Sequence, residues 1–286
     1  MKQLLILSGK GGTGKTTVAS AFIKLSKAKD YADCDVDAPN LHLAIQHLQK
    51  PKHTKFYGMM KANIDSTLCT NCGLCKTHCR FDAITSIDGY KVDKYACEGC
   101  GVCKMVCPEN AISMQKHVAG DLILYKGGSV FSTALLNMGS GNSGMLVSKV
   151  KKQLIESKVD SGIAIIDGSP GIGCPVIASI TGVDMVLIVT EPTLSGISDL
   201  KRIVKTAEIF QVKMAICINK YDINLENTKQ IETLCKELGL PITTGIPYDA
   251  MAVKAVNEGM TIVDVACSSG LAVRKVMSET MSILFS

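Results

Sequence analysis

Short apolar runs alternate along this chain with stretches of helical periodicity. Leu4-Leu5-Ile6-Leu7 is an apolar run of strand length, and Val18, Phe22 and Leu25 then recur at helical spacing. Ile163-Ala164-Ile165-Ile166 is a second buried-strand run, closed by Asp167. Beyond it, apolar strands at 185–189, 214–218 and 241–246 alternate with helical stretches near 195–210, 224–238 and 270–284. Such alternation predicts an α/β fold: a mostly parallel, doubly wound sheet with helices on both faces and its ligand at the carboxyl ends of the strands. Residues 53–117 interrupt the pattern. A hairpin (121–125, then 129–136) and the loop Gly139-Ser140-Gly141-Asn142-Ser143-Gly144, opening a helix over 144–158, lead back into it.

The interruption is where cysteine concentrates. Cys69, Cys72, Cys75 and Cys79 form one C-x2-C-x2-C-x3-C run, and Cys97, Cys100, Cys103 and Cys107 form another. That spacing wraps a cubane iron–sulfur cluster: three thiols reach three corners of one cube and the fourth is directed away. Zinc ribbons instead use two C-x2-C pairs separated by a longer loop. Disulfides would imply a secreted chain, and no cleavable apolar segment precedes the first strand, so the expectation is a reducing cytoplasm. The sequences C-R-F-D-A-I and C-P-E-N-A-I follow each other as an internal repeat, with Arg80 where the second copy has Pro108. In this the stretch resembles a bacterial two-cluster ferredoxin. The resemblance assigns Cys69, Cys72, Cys75 and Cys107 to one [4Fe–4S] cluster and Cys79, Cys97, Cys100 and Cys103 to the other.

Composition narrows the function classes. The chain has 286 residues, room for one large and one small domain, and no apolar run long enough to cross a membrane. Its formal charge of +5 counts cysteines as neutral. Two oxidised clusters at about −2 each would bring it to about +1, and the basic residues are scattered, so no nucleic-acid surface is expected. Cys34, Cys174, Cys217, Cys235 and Cys267 lie outside the runs and are expected to be small buried hydrophobes.

Between the first strand and helix lies Gly9-Lys10-Gly11-Gly12-Thr13-Gly14-Lys15-Thr16-Thr17, a Walker A match in its required strand–loop–helix context. Backbone N–H groups of Gly11, Gly12, Thr13 and Gly14 would close around phosphates. Lys15 would reach the β/γ-phosphates and the Thr16 hydroxyl Mg²⁺, with Thr17 beside them. With the early Lys10, the loop resembles the deviant Walker A of the MinD/ParA/nitrogenase-iron-protein family. So do Asp33-Cys34-Asp35-Val36-Asp37-Ala38-Pro39-Asn40 as switch I and Asp167-Gly168-Ser169-Pro170-Gly171 as Walker B and switch II.

Over essentially its full length the chain resembles MinD-superfamily P-loop ATPases containing an inserted ferredoxin. The nucleotide domain would be residues 1–52 and 118–286, the insert 53–117. The resemblance implies an ATPase that dimerises on ATP, with itself or a paralogue, Lys10 reaching the partner's phosphates. Asp35 would orient the attacking water, with Asp37 as competitor, and Asp33, Asp35 and Asp167 would serve Mg²⁺. Asn219-Lys220-Tyr221-Asp222 has the N-K-x-D form of guanine recognition, yet in this family the Asn contacts adenine, with Pro247 and Asp249 on the neighbouring loop. ATP is favoured over GTP. Function would be nucleotide-gated electron transfer to a redox or metallocofactor partner. The alternatives are an Mrp-type cluster-assembly ATPase, for which no further C-x-x-C exists, and a MinD-like spatial regulator, for which the tail carries too few basic residues.

Overall fold

The computed structural model describes residues 1–45, 50–159 and 162–286. Strand β1 (Lys2–Leu7) runs through the glycine-rich loop into α1 (Lys15–Ser26), followed by β2 (Asp30–Asp33), the short α2 (Leu41–Ala44) and β3 (Lys52–Tyr57). A small unit then intervenes: β4 (Lys61–Ile64), α3 (Leu74–Thr77), β5 (Ile84–Thr85), β6 (Lys91–Val92), α4 (Val102–Met105) and β7 (Ile112–Gln115). The chain returns as β8 (Val118–Lys126), β9 (Val130–Leu136), α5 (Ser143–Ser157), β10 (Ile163–Asp167) and α6 (Cys174–Ile180). It finishes with β11 (Met185–Thr190), α7 (Leu194–Ile209), β12 (Lys213–Ile218), a 3-10 turn (Tyr221–Ile223), α8 (Leu225–Glu237), α9 (Ala250–Asn257) and α10 (Ser268–Phe285).

The main sheet has the order β12-β11-β1-β10-β2-β9-β8-β3. Its strands pair in parallel from β12 to β9, while β8 and β3 add an antiparallel edge. Because a strand's side chains alternate, β1 feeds two cores. Leu5 and Leu7 pack with Leu146, Val150, Val176, Leu200 and Ile231 on the α5–α8 side. Leu4 and Ile6 pack with Val18, Phe22, Val273 and Val276 of α1 and α10 on the other. The terminal helix therefore lies on the sheet with its apolar face buried. Among the described residues, no helix is long and apolar enough to cross a membrane.

Two sequence expectations need correction. The run 241–246 makes only isolated bridges, Ile242 to Ile216 of β12 and Ile246 to Asn219 just beyond it, with the register slipping by one residue between them. The insert also begins later than residue 53: Lys52–Tyr57 pairs antiparallel with β8 and buries Phe56 against the main core. The separate unit is therefore 61–115.

That unit is a pseudo-twofold. β4 pairs β7 as β6 pairs β5. Asp65 N–H bonds Ala111 O just as Asp93 N–H bonds Ala83 O, both at 2.8 Å. Gly73 and Gly101 both adopt left-handed φ and open α3 and α4, and Asp82 and Asn110 are left-handed at matching positions. Its core is small: Ala62, Ala83, Ile84 and Ile112 with Cys75 and Cys97.

Candidate functional site

At the carboxyl end of β1 the loop Gly9–Gly14 turns into α1 through Gly14, whose φ of 88° and contact with Asn219 exclude a side chain. Lys15 and Thr16 thereby start the helix under β10. Lys15 Nζ bonds Asp167 Oδ1 at 2.6 Å, and Thr16 Oγ1 donates to Asp167 Oδ2 at 2.6 Å. Burial disfavours the Lys15 charge, but Asp167, with Asp33 and Asp35 behind it, more than compensates, so its pKa lies above the ordinary lysine value. Lys15 and Thr16, but not Asp167, border a cleft with about 1110 Å³ of atom-free space, also lined by Gly11, Gly12, Gly14, Thr17, Ser169 and Pro175. Thr13 is buried below it with its hydroxyl unpartnered.

Asp33, Asp35 and Asp37 divide sharply. Asp33 is fully buried at the end of β2, and its oxygens accept the backbone N–H groups of Asp35, Asn40 and Leu41 at 2.9–3.0 Å. It shapes the loop and is not itself a lining residue of the cavity. Burial, then the charge of Asp167, push its carboxyl up to about 7. Asp35 is half-buried and Asp37 exposed, and both line the cavity. Burial raises Asp35 while Lys15 pulls it down. Of the pair, Asp35 is the carboxylate in the field of Lys15.

A second pocket, of about 650 Å³, opens from Gly12, Gly14 and Thr17 and is walled by Ile246, Pro247, Val253, Val256 and Ile262. Its expected base-reading groups are already engaged. Asn219 Nδ2 donates to Thr13 O at 2.7 Å, fastening the P-loop to β12. Asp222 accepts the Tyr248 N–H at 2.7 Å. Asp249 caps α9 through Met251 N–H and binds the hydroxyl and N–H of Ser268. These hydrogen bonds pull Asp249 below the usual carboxylate range.

Lys10 stands apart from the cavity. Its ammonium donates to Thr193 and Ser195 hydroxyls at 3.2 and 3.1 Å and lies 3.9 Å from Glu191, which also pairs with Lys220 at 2.6 Å. Glu191 escaped the sequence reading. The only signal was an acid placed directly after a buried strand, at 185–190.

The eight run cysteines fall into two groups. Cys79, Cys97, Cys100 and Cys103 line a small apolar pocket whose other walls include Ala62, Ala83, Ile84 and Met114. Cys69, Cys72, Cys75 and Cys107 line another, with Ile64, Tyr90, Ala111 and Ile112. Among the described residues no three His, Cys, Asp or Glu side chains gather as ligands of a single metal ion. Of the remaining cysteines, Cys34, Cys217 and Cys235 are buried, and burial pushes Cys34 up to about 12. Cys174 is exposed at the start of α6, contrary to expectation, and half-buried Cys267 accepts the Gly270 N–H at the head of α10.

Residues 4–262 match the family described as the CobQ/CobB/MinD/ParA nucleotide binding domain. The protein MJ0578 of Methanocaldococcus jannaschii is 35% identical over 228 residues, covering 78% of this chain and 79% of that one. An ATP-binding protein of the same organism, MJ0823, is 26% identical, covering 90% of each. The fold is that of the septum site-determining protein MinD of Pyrococcus horikoshii, solved with Mg-ADP. The TM-score is 0.58 at 17% identity, covering 98% of this chain and 95% of that one.

Proposed function

The chain belongs to the CobQ/CobB/MinD/ParA nucleotide-binding family, and we propose that it is a slow, Mg²⁺-dependent ATPase whose nucleotide cycle gates electron transfer through two [4Fe–4S] clusters. The observation that carries the second half is the division of eight thiols into two sets of four, each around its own apolar pocket. A cubane takes one thiolate at each of four irons, so its ligands ring a volume and do not meet at a point. The sets also unite Cys79 with the second run and Cys107 with the first, as crossed ligation requires. When bound, the clusters supply one-electron carriers at low potential. We therefore read residues 61–115 as a ferredoxin-like module.

In the nucleotide site the chain's own groups account for binding and turnover. Lys15 must leave Asp167 to meet the phosphates, which frees the Asp167 carboxylate and the Thr16 hydroxyl for Mg²⁺. Asp33 acts through the loop, positioning Asp35 by accepting its N–H. Asp35 orients the attacking water, with Asp37 farther out in solvent. Lys10 would leave Glu191, Thr193 and Ser195 to reach a second copy, or a paralogue, across the ATP-bound dimer. ATP is favoured because Asp222 is occupied by the chain's own backbone, and the relative MJ0823 is an ATP-binding protein. A MinD-like role as a spatial regulator on membranes fits less well, since α10 spends its apolar face on the sheet. The partner is a redox or metallocofactor protein, in a reducing cytoplasm.

The deciding experiment is anaerobic purification followed by metal analysis and potentiometry. About eight irons and eight sulfides per chain are expected, with cluster potentials that differ between the ADP form and a non-hydrolysable ATP analogue. Zinc in place of iron, or no iron after reconstitution, refutes the cluster assignment. Full iron with identical potentials in both nucleotide states refutes the gating.

A further inference from the structure

The two cysteine turns are built alike but held differently. At matching positions after the first cysteine of each run stand Asn71 (φ 57°) and Gly99 (φ 71°), both left-handed. Asn tolerates that conformation, so the turn alone does not demand glycine. The demand at 99 comes from outside: a Cβ there would lie 2.2 Å from Met60 O and 3.1 Å from Met59 Cβ. Lys61, buried, donates its ammonium to the carbonyl of Cys97. The linker from β3 thus grips the second turn. On another side, Tyr95 lies against Gly139, where a Cβ would stand 3.0 Å from its ring. The Glu98 carboxylate approaches Gly141, at 3.4 Å from the corresponding position. By contrast Gly73, in the first run, packs on Tyr90 of the small unit itself.

The loop that touches Tyr95 and Glu98 opens α5, and α5 is locked to α6. Gly144 meets the backbone of Cys174 so closely that a Cβ would stand 3.0 Å from its carbonyl oxygen. Farther along, Lys151 donates to the carbonyls of Ala178, Ser179 and Thr181 at 3.3, 2.6 and 2.5 Å, closing the C-terminal end of α6. Burial lowers this ammonium to about 8, so at neutral pH it remains a charged cap. At its other end α6 begins Cys174-Pro175, and Pro175 lines the phosphate cavity with Ser169 and Pro170 of switch II. Asn142, directly before α5, also lies beside Gly58 of the gripping linker.

We infer that nucleotide state is delivered to the thiol set Cys79, Cys97, Cys100 and Cys103, and not to the set Cys69, Cys72, Cys75 and Cys107, through the loop 137–142 at the head of the α5–α6 pair. This rests on the reading of the thiols as cluster ligands. Packed helices shift as units because close-packed interfaces have discrete arrangements. A displacement of switch II at Pro170–Pro175 therefore moves Cys174, then Gly144 and the loop, then Tyr95 and Glu98 between the ligands of one cluster. The first turn has its glycine seated inside the small unit and follows only as part of a rigid body.

Hydrogen exchange on the iron-loaded protein, with ADP against a non-hydrolysable ATP analogue, tests this. Amides of 95–101 and 137–144 should change exchange rate about fivefold or more, the low end of typical site-to-site coupling, and those of 67–73 should stay within about twofold. An equal or larger response at 67–73, or none at 95–101, overturns the inference. The variant Tyr95→Ala/Glu98→Gln should keep its iron and the parent ATPase rate while losing the response at 95–101; an undiminished response also overturns it. Comparison of nucleotide states in the parent protein decides the matter even if this variant loads iron poorly. A chain that binds no iron instead refutes the function beneath the inference.

Discussion

The nucleotide domain and the thiol unit solve the same problem, holding a site before its ligand arrives, by opposite means. In the nucleotide domain, residues distant in sequence satisfy one another: Lys15 with Asp167, Asn219 with Thr13, Asp33 with the amides of its loop. Two extensive cores stand behind them. In the thiol unit the cysteines sit on local left-handed turns around two pockets, backed by one small apolar cluster. One site is held by ion pairs and hydrogen bonds among its own groups, and the other is two sets of thiols around small apolar pockets. A ligand must displace contacts in the first and supply them in the second.

Iron removal should break the comparison open most widely. A unit of this size rarely gains more than about 3–5 kcal/mol from a single core, and metals commonly supply the rest. Chelation should therefore abolish amide protection across 61–115 while β1, β10 and β11 keep theirs, as read by hydrogen exchange. Retained protection over 61–115 after complete iron loss would show that the unit stands by itself.

On the nucleotide side, Lys15→Ala should lower ATP affinity by about 100-fold or more, since charge-assisted bonds to phosphate are lost. Asp35→Ala should bind ATP within about threefold of the parent and lose 100-fold or more of turnover, the scale of a positioned base. Equilibrium binding and single-turnover hydrolysis separate the two. If Asp35→Ala turns over normally, Asp37, the other carboxylate on the cavity, carries the role.

What could be read beforehand follows the same division. The P-loop and the alternating sheet were legible because their signals are local in sequence and specific in spacing. The two halves of the thiol unit were legible for the same reason, down to the repeat that places Asp82 and Asn110 in matching turns. Residues whose work depends on distant partners were not. Nothing in the sequence around Asp33 shows that its carboxylate accepts three backbone N–H groups of its own loop. Nothing around Asp249 shows that it caps α9. Glu191, which holds both Lys10 and Lys220, has no motif around it. The boundary near residue 53 failed because Lys52–Tyr57, mostly polar, gave no sign that β8 would recruit it as an edge strand.

Asp33 offers a subtler test of the self-locked site. Its carboxyl holds a proton up to about 7 in the folded chain, whereas an unfolded aspartate releases it near 3.8. The folded state binds the extra proton between those values. The resulting stabilisation is complete below about pH 4 and is lost as pH rises through about 7. Stability of the nucleotide-free protein should fall by about 1 kcal/mol between pH 6 and 8, seen in urea midpoints followed by circular dichroism. Asp33→Asn should flatten that slope, and an unchanged slope would assign the proton elsewhere.

The smallest effect is expected at the base end, where the chain's own groups engage the N-K-x-D motif. Asp222 has the position of a guanine reader, but it accepts the Tyr248 N–H at 2.7 Å. An asparagine carbonyl can accept the same bond, so Asp222→Asn should leave the loop and its pocket intact. A carboxylate that truly paired with guanine would behave otherwise. A site built to hydrogen-bond a substrate discriminates strongly, because the wrong partner leaves buried groups unpaired. Competition binding of ATP and GTP to the parent and to Asp222→Asn distinguishes these cases. Preference for ATP in both, with the ratio changed by less than about twofold, is the outcome for a residue that holds its own backbone. A tenfold shift of the ratio toward ATP on substitution would make Asp222 a base reader, and the pocket beside Pro247 a guanine site.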